Sequence, residues 1–457
     1  MTTHTGKTAT LRERPELQPP GPWAFPIPET FTLDNGLAVQ VYHRPGQYVI
    51  SAGLSLDVPL TAEDRATEGV ADLTGGALDQ GTRSHPSVEF ADAVEGCGAV
   101  LEASVGYSST QVYLDVPGSH LAAALPLLAE AVTEPELTDA DVDRERGLRL
   151  AQIEQQMANG STRADHALRA ALFRPESRSS RMKTGEPDTL RTVTGEDVRA
   201  FHARHFGPTG ATLVLAGDLS GDVRQVVEDA FGAWANPGQT AVRHEAPGAS
   251  ERVVRLVDRP GSVQADVRFG RFTIDRTDPR WADLQLAVYA IGGAFLSRLN
   301  SVLREEKGYT YGVHASNAPL RKGGTTAVQG SFRNEVVADA VSLLGPLVDV
   351  RTKPLTADEI EKARRYLVGV QPLQYATASG VCNGVLTLLG AGLTPHFVDE
   401  LRAAYARVTP ESATAAASEL LQPEAMSLVV VGDAGVLADG LRGVGYDVEV
   451  VSQDAAG

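Results

Sequence analysis

Two histidines are the residues of this chain whose spacing most directly suggests metal chemistry. His202 and His205 occur in the segment FHARHF, three positions apart. Histidines at this spacing can meet a metal ion from one face of a helix. No glutamate or cysteine that could complete a ligand set stands directly beside them in the sequence. We therefore interpret both histidines as surface or core residues.

The other residues that could carry chemistry are isolated. Cys97 and Cys382, the two cysteines of the chain, are far apart and lack the spacing of a disulfide framework or of a thiolate zinc site. Gly292 and Gly293 form too short a run for a phosphate-binding loop, and close packing of the chain would also explain them. Since no nucleophile–base constellation is present, a hydrolase with a site of its own has little support.

The segment TEGVADLTGGALDQGT (67–82) contains the most unusual pattern. Its small residues, with Leu73 and Leu78, predict a helix. Gly75 and Gly76 stand in the interior of that helix, where each glycine costs about 1 kcal/mol relative to alanine. The question is what the chain gains from glycines at these positions.

Composition excludes several classes of partner. The chain has 457 residues, long enough for two to four domains. Its net charge of −17 argues against a nucleic acid or an anionic membrane as a partner, whereas an acidic surface would suit both solubility and a basic peptide. The sequence contains no apolar run of 18 residues and no signal pattern at its N-terminus. We therefore expect a cytoplasmic protein.

The elements that must position these residues occur twice. The segments HRPG and DRPG, which end at Gly46 and Gly261, lie 215 positions apart. The Gly-Asp pairs that end two apolar strands, at Asp218 and Asp433, are separated by the same 215 positions. The helical segments that start LTDADVDRE and LTADEIEKA are 218 positions apart. Three landmarks in the same order at nearly one offset predict an internal duplication.

Each half is predicted to contain a strand hairpin, a helix, a strand pair, long helical segments and a final apolar strand. The turn Asp34-Asn35-Gly36 is typical of a hairpin, and the segment 102–116 alternates apolar and polar residues. The pattern predicts an α+β protein of two homologous domains, each a mostly antiparallel sheet with helices packed on one face. The predicted parts are a flexible N-terminal arm (1–24), an N-terminal domain (25–235), a linker (236–250), a C-terminal domain (251–443) and a C-terminal tail (444–457).

The segment SRLNSVLREEKGYTYGVHAS (297–316) carries the most specific motif. Together with the duplication, the Gly-Asp strand ends and the segment Gly69-Val70-Ala71, it resembles the pitrilysin (insulinase) family of zinc peptidases. The similarity is greatest to the short bacterial and mitochondrial-processing-peptidase branch of that family. It covers the chain from about Thr32 to Ala434 and implies two domains of roughly this size.

In this family an H-x-x-E-H motif on a helix supplies two zinc ligands and a general base, and a later glutamate is the third ligand. The resemblance places the two ligand positions at Asp72 and Gly76, the base at Gly75 and the third ligand at Gln152. Asp72 could bind a metal only weakly, glycine has no side chain, and glutamine is a poor zinc ligand. The resemblance therefore implies that this chain holds no zinc and has no peptidase activity alone.

Two explanations of the glycines remain open on this basis. They could let another backbone approach the helix closely, or they could reflect drift once zinc ligands were no longer needed. The resemblance also makes Gly292-Gly293 a possible counterpart of the glycine-rich loop of related non-catalytic subunits. Where active members commonly have Asn-Ala on the peptide-binding edge strand, this chain has Glu102-Ala103, which puts substrate docking on its own first domain in doubt.

The other half of the family's active site is retained. An arginine and a tyrosine seven residues apart hold substrate carbonyls in these peptidases, and they correspond to Arg304 and Tyr311. The resemblance implies a non-catalytic subunit that supplies this pair to a zinc-containing H-x-x-E-H partner, the two together cleaving a peptide. The alternative is an inert peptide-binding or scaffold protein, in which Arg304 pairs with a neighbouring glutamate and Tyr311 packs as a half-buried strand aromatic.

Overall fold

A six-stranded sheet forms the first half of the protein. The computed structural model describes residues 22–219 and 221–452. The strands of this sheet are β1 (Glu29–Thr32), β2 (Ala38–His43), β3 (Val49–Leu56), β4 (Val100–Val105), β5 (Thr110–Pro117) and β6 (Thr212–Gly217). Their order across the sheet is β1-β2-β6-β3-β5-β4. The expected turn at Asp34-Asn35-Gly36 joins β1 to β2, with a φ of 93° at Gly36 that favours glycine. The segment 102–116 falls into the β4–β5 hairpin.

A second six-stranded sheet repeats this arrangement. Its strands are β7 (Val254–Asp258), β8 (Gln264–Thr273), β9 (Val313–Pro319), β10 (Gly324–Arg333), β11 (Ser427–Gly432) and β12 (Glu449–Ser452), in the order β12-β7-β11-β8-β10-β9. β2 pairs in parallel with β6, as β7 does with β11, and the pairs from these strands through β3 and β8 to the β4 and β9 edges are antiparallel. The strands at the opposite edges differ, since β1 pairs antiparallel with β2 whereas β12 pairs in parallel with β7. The predicted α+β fold of two homologous, mostly antiparallel domains is confirmed.

The repeated sequence landmarks make the same hydrogen bonds in both halves. The strand that ends in Gly-Asp lies beside the strand that ends in the Arg-Pro-Gly turn, and it closes that turn through one carbonyl and one carboxylate. The bonds are Arg44 N to Gly217 O (2.6 Å), Gly46 N to Asp218 Oδ2 (2.8 Å), Arg259 N to Gly432 O (2.8 Å) and Gly261 N to Asp433 Oδ2 (2.7 Å). A geometric requirement of the turn therefore explains why these residues recur.

Helices fill the connections. The first half has α1 (Val70–Ala77), α2 (Val88–Gly96), α3 (Leu121–Thr133), α4 (Asp139–Ala158), α5 (Gly160–Leu172), α6 (Pro187–Leu190), α7 (Gly195–His205) and α8 (Val223–Phe231). The second has α9 (Trp281–Val288), α10 (Arg298–Asn300), α11 (Val337–Val348), α12 (Ala357–Gln374), α13 (Ala378–Gly390), α14 (Phe397–Arg407), α15 (Pro410–Leu420) and α16 (Ala434–Gly443). Single π-helical turns, Tyr289–Gly293 and Ser301–Glu306, extend α9 and α10. Thr138 and Thr356 cap α4 and α12, which explains the repeated Leu-Thr.

The two halves exchange a helix. α5 of the first half packs on β8 and β11 of the second sheet, and α13 of the second half packs on β3 and β6 of the first sheet. α13 lies so close that a Cβ on Gly53 of β3 would be 2.4 Å from Leu386 Cδ1. Each sheet is therefore covered by its own helices on one face and by a helix of the other half on the opposite face.

Residues near the predicted ends of the domains take part in the fold where the structure describes them. Residues 1–21 and 453–457, most of the predicted arm and part of the predicted tail, lie outside the described residues. The rest of the tail contains β12, which pairs with β7 and covers an edge that the first sheet covers with β1. Trp23, within the predicted arm, stacks on Tyr375 with ring centroids 6.0 Å apart. Residues 236–250 form no helix or strand.

Within the described residues, one helical segment is long and apolar enough to cross a membrane by length and composition alone. It spans residues 281–306 and has a mean hydropathy of 1.4 over its most apolar window. In the protein 61% of that window is buried, with Leu284, Ile291 and Leu299 in the core of the second half. The segment packs as a core helix here.

Candidate functional site

The helix that would carry the zinc motif begins at a left-handed glycine. Gly69 has a φ of 104°, and a Cβ there would lie 2.6 Å from the carbonyl oxygen of Thr184, so only glycine fits. Glu63 Oε1 accepts hydrogen bonds from the backbone N–H groups of Gly69 and Ala71, each at 2.9 Å. Arg178 holds the other carboxylate oxygen of Glu63 at 2.8 Å. The start of α1 is thus fixed by a buried ion pair.

An arginine lies where the predicted ligand positions meet. Arg149 Nε is 2.8 Å from Asp72 Oδ2, and Arg149 Nη1 donates to Gln152 Oε1 at 3.0 Å. A Cβ built on Gly76 would lie 3.0 Å from Arg149 Nη2. The guanidinium group therefore contacts Asp72 and Gln152 and lies where a side chain at Gly76 would be, so a fixed positive charge stands among the three positions that would bind zinc in the family motif.

The atoms that lie closest to the two glycines of α1 belong to side chains of neighbouring elements and not to their backbone. A Cβ on Gly75 would be 2.8 Å from Val105 Cγ2 of β4, and a Cβ on Gly76 would be 2.9 Å from Glu145 Oε2. The suggestion that another backbone approaches the helix here is wrong. Gly76 instead leaves the space into which Glu145 and Arg149 of α4 extend.

The electrostatics of this cluster do not fit a zinc ion. Burial raises the pKa of Asp72, and Arg149 opposes that shift. Burial likewise raises the pKa of Glu145, which Arg149 also opposes. A zinc ion needs three or four donors of lone pairs, whereas a guanidinium presents only protons. Among the residues that the structure describes, no three His, Cys, Asp or Glu side chains are grouped to hold a metal.

Arg149 is the site residue that sequence reasoning missed. It lies four residues after Glu145 and three before Gln152 on α4, so helical spacing places all three on one face. That spacing could have identified it. A charged residue on a long polar helix otherwise indicates only a solvated surface.

Arg304 is held in a fixed orientation. Its Nη2 lies 2.6 Å from Glu305 Oε1 and donates to the Phe295 carbonyl at 3.2 Å, and its guanidinium carbon lies 3.6 Å from the centre of the Phe295 ring. Pairing with a neighbouring glutamate is what the structural alternative predicts. Among the described residues, however, Nη1 has no partner, so two N–H groups of Arg304 remain available.

Tyr311 does not match the structural alternative. Its side chain is 99% exposed, not half-buried, and its hydroxyl has no partner among the residues described. It lines an open cavity of about 770 Å³ next to β9, together with His314 and Arg333. Arg304 does not line this cavity, and no hydrogen bond joins Arg304 to Tyr311 in the described part of the chain. The phenol therefore faces solvent.

The first arginine of the SRL motif has a structural task. Arg298 is 5% exposed and forms a two-point ion pair with Glu359 of α12, at 2.6 and 2.8 Å. It also donates to the carbonyl oxygen of Pro354 at 2.7 Å. These bonds fasten the segment that carries Arg304 and Tyr311 to the long helix α12.

We expect this attachment to weaken in acid. Burial alone would raise the pKa of Glu359, but hydrogen bonds from Arg298 and Thr356 outweigh it and lower the pKa to about 2. A carboxyl group whose pKa is lower in the folded than in the unfolded state stabilises the fold at pH values above its unfolded-state pKa. That stabilisation is lost as the pH falls toward the folded-state pKa. Glu359→Gln should therefore lower the free energy of unfolding by about 2 kcal/mol at pH 7, and by less as the pH falls from 4.5 toward 2.

Urea unfolding of wild type and variant at pH 7, 5 and 3 measures this difference. The matched control is Glu424→Gln, which removes an exposed carboxylate paired with Arg351 and should change stability little. A difference between wild type and Glu359→Gln that is the same at pH 7 and pH 3 would contradict the assignment.

The remaining sequence candidates have structural roles. His202 bonds to the carbonyl oxygen of Val132 at 2.8 Å, and burial lowers its pKa. His205 packs against Phe201 with ring centroids 4.8 Å apart. A Cβ on Gly292 would lie 2.4 Å from Ala315 Cβ of β9, which supports close packing as its reason. Glu102 is exposed on β4, the outermost strand of the first sheet.

Comparison with known protein families matches both halves of the chain to models of peptidase family M16. Residues 39–185 match the family model described as insulinase (peptidase family M16), and residues 192–367 match the model described as peptidase M16 inactive domain. An uncharacterized zinc protease of Streptomyces coelicolor is 27% identical over 88% of both chains. A protein of Helicobacter pylori named a non-peptidase homolog is 24% identical over 73% of this chain and 77% of its own.

Solved structures show the same fold. A peptidase M16 inactive domain from Pseudomonas fluorescens has a TM-score of 0.82 at 23% identity and covers 89% of this chain and 98% of its own. A protease from Helicobacter pylori has a TM-score of 0.80 at 18% identity and covers 90% of this chain and 100% of its own.

Proposed function

Because this chain belongs to the insulinase (M16) family of peptidases, with a second half of the inactive type, we propose that it is the non-catalytic subunit of a two-subunit zinc peptidase. The partner would be a homologous chain that carries H-x-x-E-H. The substrate would be a peptide held between the two chains.

The first support for this proposal is the state of the first domain. Asp72, Gly76 and Gln152 surround the guanidinium of Arg149 instead of a metal. A chain of this fold without the ligands has to obtain the metal chemistry from another chain if it takes part in proteolysis. The metal site is therefore assigned to the partner.

The second support, and the observation that carries the proposal, is the exposed and unpartnered Tyr311. Its full exposure leaves the hydroxyl free to meet another molecule. Its neutral phenol can donate one hydrogen bond, and Arg304 Nη1 can donate two. Donors of this kind stabilise a substrate carbonyl oxygen as it gains negative charge in the transition state. This chain would thus supply hydrogen bonds to the reacting peptide.

The orientation of Arg304 fits the same task. Glu305 and Phe295 fix the plane of the guanidinium from one side, so that the Nη1 group is positioned before substrate arrives. Preorganised donors need little rearrangement during the reaction, which is the source of their effect.

Reconstitution tests the proposal. The chain is assayed for cleavage of a fluorogenic peptide library alone, with an H-x-x-E-H homologue from the same source, and with that homologue carrying Glu→Gln in its motif. We expect cleavage only with the intact homologue, and co-elution of both chains in size-exclusion chromatography. A homologue that is fully active alone and unaffected by this chain would refute it. A complex that forms but never cleaves would indicate the scaffold function instead.

A further inference from the structure

A second cavity lies between the two halves of the protein. Its volume is about 320 Å³, and it is formed by the β4–β5 turn of the first half, the β9–β10 turn and the end of α13. Lys183 and Arg276 both line it. It is separate from the cavity beside Tyr311, since no residue lines both.

The charge of this cavity is opposite to that of the chain as a whole. The sequence has 58 acidic and 41 basic residues. Of the described residues that line the cavity, none is an aspartate or a glutamate. Neither Lys183 Nζ nor the guanidinium of Arg276 has a hydrogen bond or an ion pair to any residue within 22–219 and 221–452. Two cations that no acceptor in the described residues hydrogen-bonds therefore line the same cavity, with Asp72 acting on Lys183 and Asp275 acting on Arg276 only through their charge.

Nearby acceptors are already engaged. Asp275, beside Arg276 in sequence, accepts from the backbone N–H groups of Thr277 and Gly323 at 2.8 Å each. The last carbonyls of α13 accept from Gly392 and Leu393, both at 2.8 Å, in a glycine-terminated cap. These acceptors therefore make their hydrogen bonds elsewhere and none to Lys183 or Arg276 in the described part of the chain.

Both cations lie in surroundings that disfavour their charge. Lys183 is exposed to solvent, yet desolvation and the charge of Arg169 lower its pKa, and the charge of Asp72 only partly opposes them. Desolvation also lowers the pKa of Arg276. An anion bound between the two groups would offset both effects, because opposite charges attract more strongly where water is partly excluded.

Hydroxyl groups complete the donor set. Ser109 Oγ accepts from Gln111 Nε2 at 3.3 Å, which leaves its own hydrogen free to donate. Gln111 Nε2 also donates to Leu386 O at 2.9 Å and so joins the turn to α13. A Cβ on Gly390 would lie 2.6 Å from Ser109 Oγ, so glycine at this position leaves room for the hydroxyl of this buried serine.

We infer that Lys183, Arg276 and the Ser109 hydroxyl form a binding site for a carboxylate group of a peptide. The cavity begins where β4 ends, at Ser104, and β4 is an edge strand with one unpaired side. Glu102 on this edge departs from the Asn-Ala of active members, but the backbone of the edge is unpaired, and a peptide that added to it would reach the cavity with one of its ends or side chains. The peptide part of the inference rests on the proposed function and specifies that function's substrate. Anion binding is a property of the isolated chain.

Titration of the full-length chain without any partner tests the inference. Three labelled forms of one neutral peptide are compared by fluorescence anisotropy at low salt: a free C-terminal acid, its C-terminal amide, and the amide with one added glutamate. We expect the acid, the glutamate form or both to bind at least tenfold more tightly than the plain amide. Which of the two binds identifies the source of the carboxylate.

Charge removal provides the second measurement. Lys183→Gln and Arg276→Gln should each weaken binding of the preferred peptide about tenfold, whereas Lys362→Gln, which removes an exposed lysine of α12, should leave it unchanged. Equal binding of all three peptides, or equal affinity in all three variants, would overturn the inference. The result is independent of turnover, so a failed reconstitution with intact anion binding would reject only the proposed function.

Discussion

A complex that contains Tyr311→Phe is expected to assemble normally and to cleave its peptide about 10²–10³ times more slowly than the wild-type complex. The substitution keeps the exposed ring and removes only a hydroxyl that has no partner in the folded chain. Stability should therefore stay unchanged, and the loss should fall on kcat, because the donor acts on charge that develops in the transition state. Steady-state kinetics of the purified complex measures it.

The matched control is Tyr366→Phe, which removes the hydroxyl of another exposed tyrosine, one that stacks on Tyr289 in the same half. This variant should cleave at the wild-type rate. Arg304→Ala is expected to raise KM as well as lower kcat, since it removes a fixed cation that can bind the ground state. Wild-type turnover by an assembled Tyr311→Phe complex would show that the Arg/Tyr segment is structural.

Replacing all four degenerate positions is expected not to restore zinc binding while Arg149 remains. The variant combines Asp72→His, Gly75→Glu, Gly76→His and Gln152→Glu. Two positive unit charges about 4 Å apart repel each other by about 4 kcal/mol near a protein surface, which corresponds to roughly a thousandfold loss of affinity. A zinc ion carries two such charges, so the guanidinium of Arg149 should oppose zinc binding at least this strongly. Adding Arg149→Leu should therefore tighten zinc binding at least about a thousandfold. Competition with a chromophoric chelator measures the affinities.

The control for this experiment is Arg144→Leu in the fourfold variant. Arg144 is on the same helix but pairs with Asp141 at 2.7 Å, away from the ligand positions, so its loss should not restore binding. Circular dichroism must show a folded chain, because side chains at Gly75 and Gly76 displace Val105 and Glu145. Tight, stoichiometric zinc in the fourfold variant with Arg149 intact would disprove the assignment of Arg149 to the metal position.

The parts of the fold that sequence could predict are those with a local geometric cause. The residues that reveal the 215-residue repeat belong to a turn that occurs in both halves. This turn needs glycine at Gly46 and Gly261 and a carboxylate at Asp218 and Asp433. The exchange of α5 and α13 could not be predicted, because an apolar helix face does not specify which of two similar sheets it covers. The strand β12 was missed for a related reason, since a short edge strand lacks a long alternating pattern.

The candidate site likewise has features that sequence could predict and features that depend on tertiary packing. Motif spacing placed positions 72 and 76 on a helix, which the structure contains as α1. The proximity of both positions to Arg149 depends on how α4 packs against α1, a tertiary arrangement that the pattern of either helix leaves open. The full exposure of Tyr311 likewise follows from a loop conformation and not from its neighbours in sequence.

The exchanged helices also determine the order in which the chain can fold during synthesis. The strands of the first sheet are complete once residue 217 has been made, but α13, which covers Tyr42 and Val214 on one face, ends at residue 390. At ribosomal rates this interval lasts on the order of ten to thirty seconds. For that time an apolar sheet face is without its native cover, so the nascent first half depends on the late arrival of the second to escape aggregation and chaperone capture.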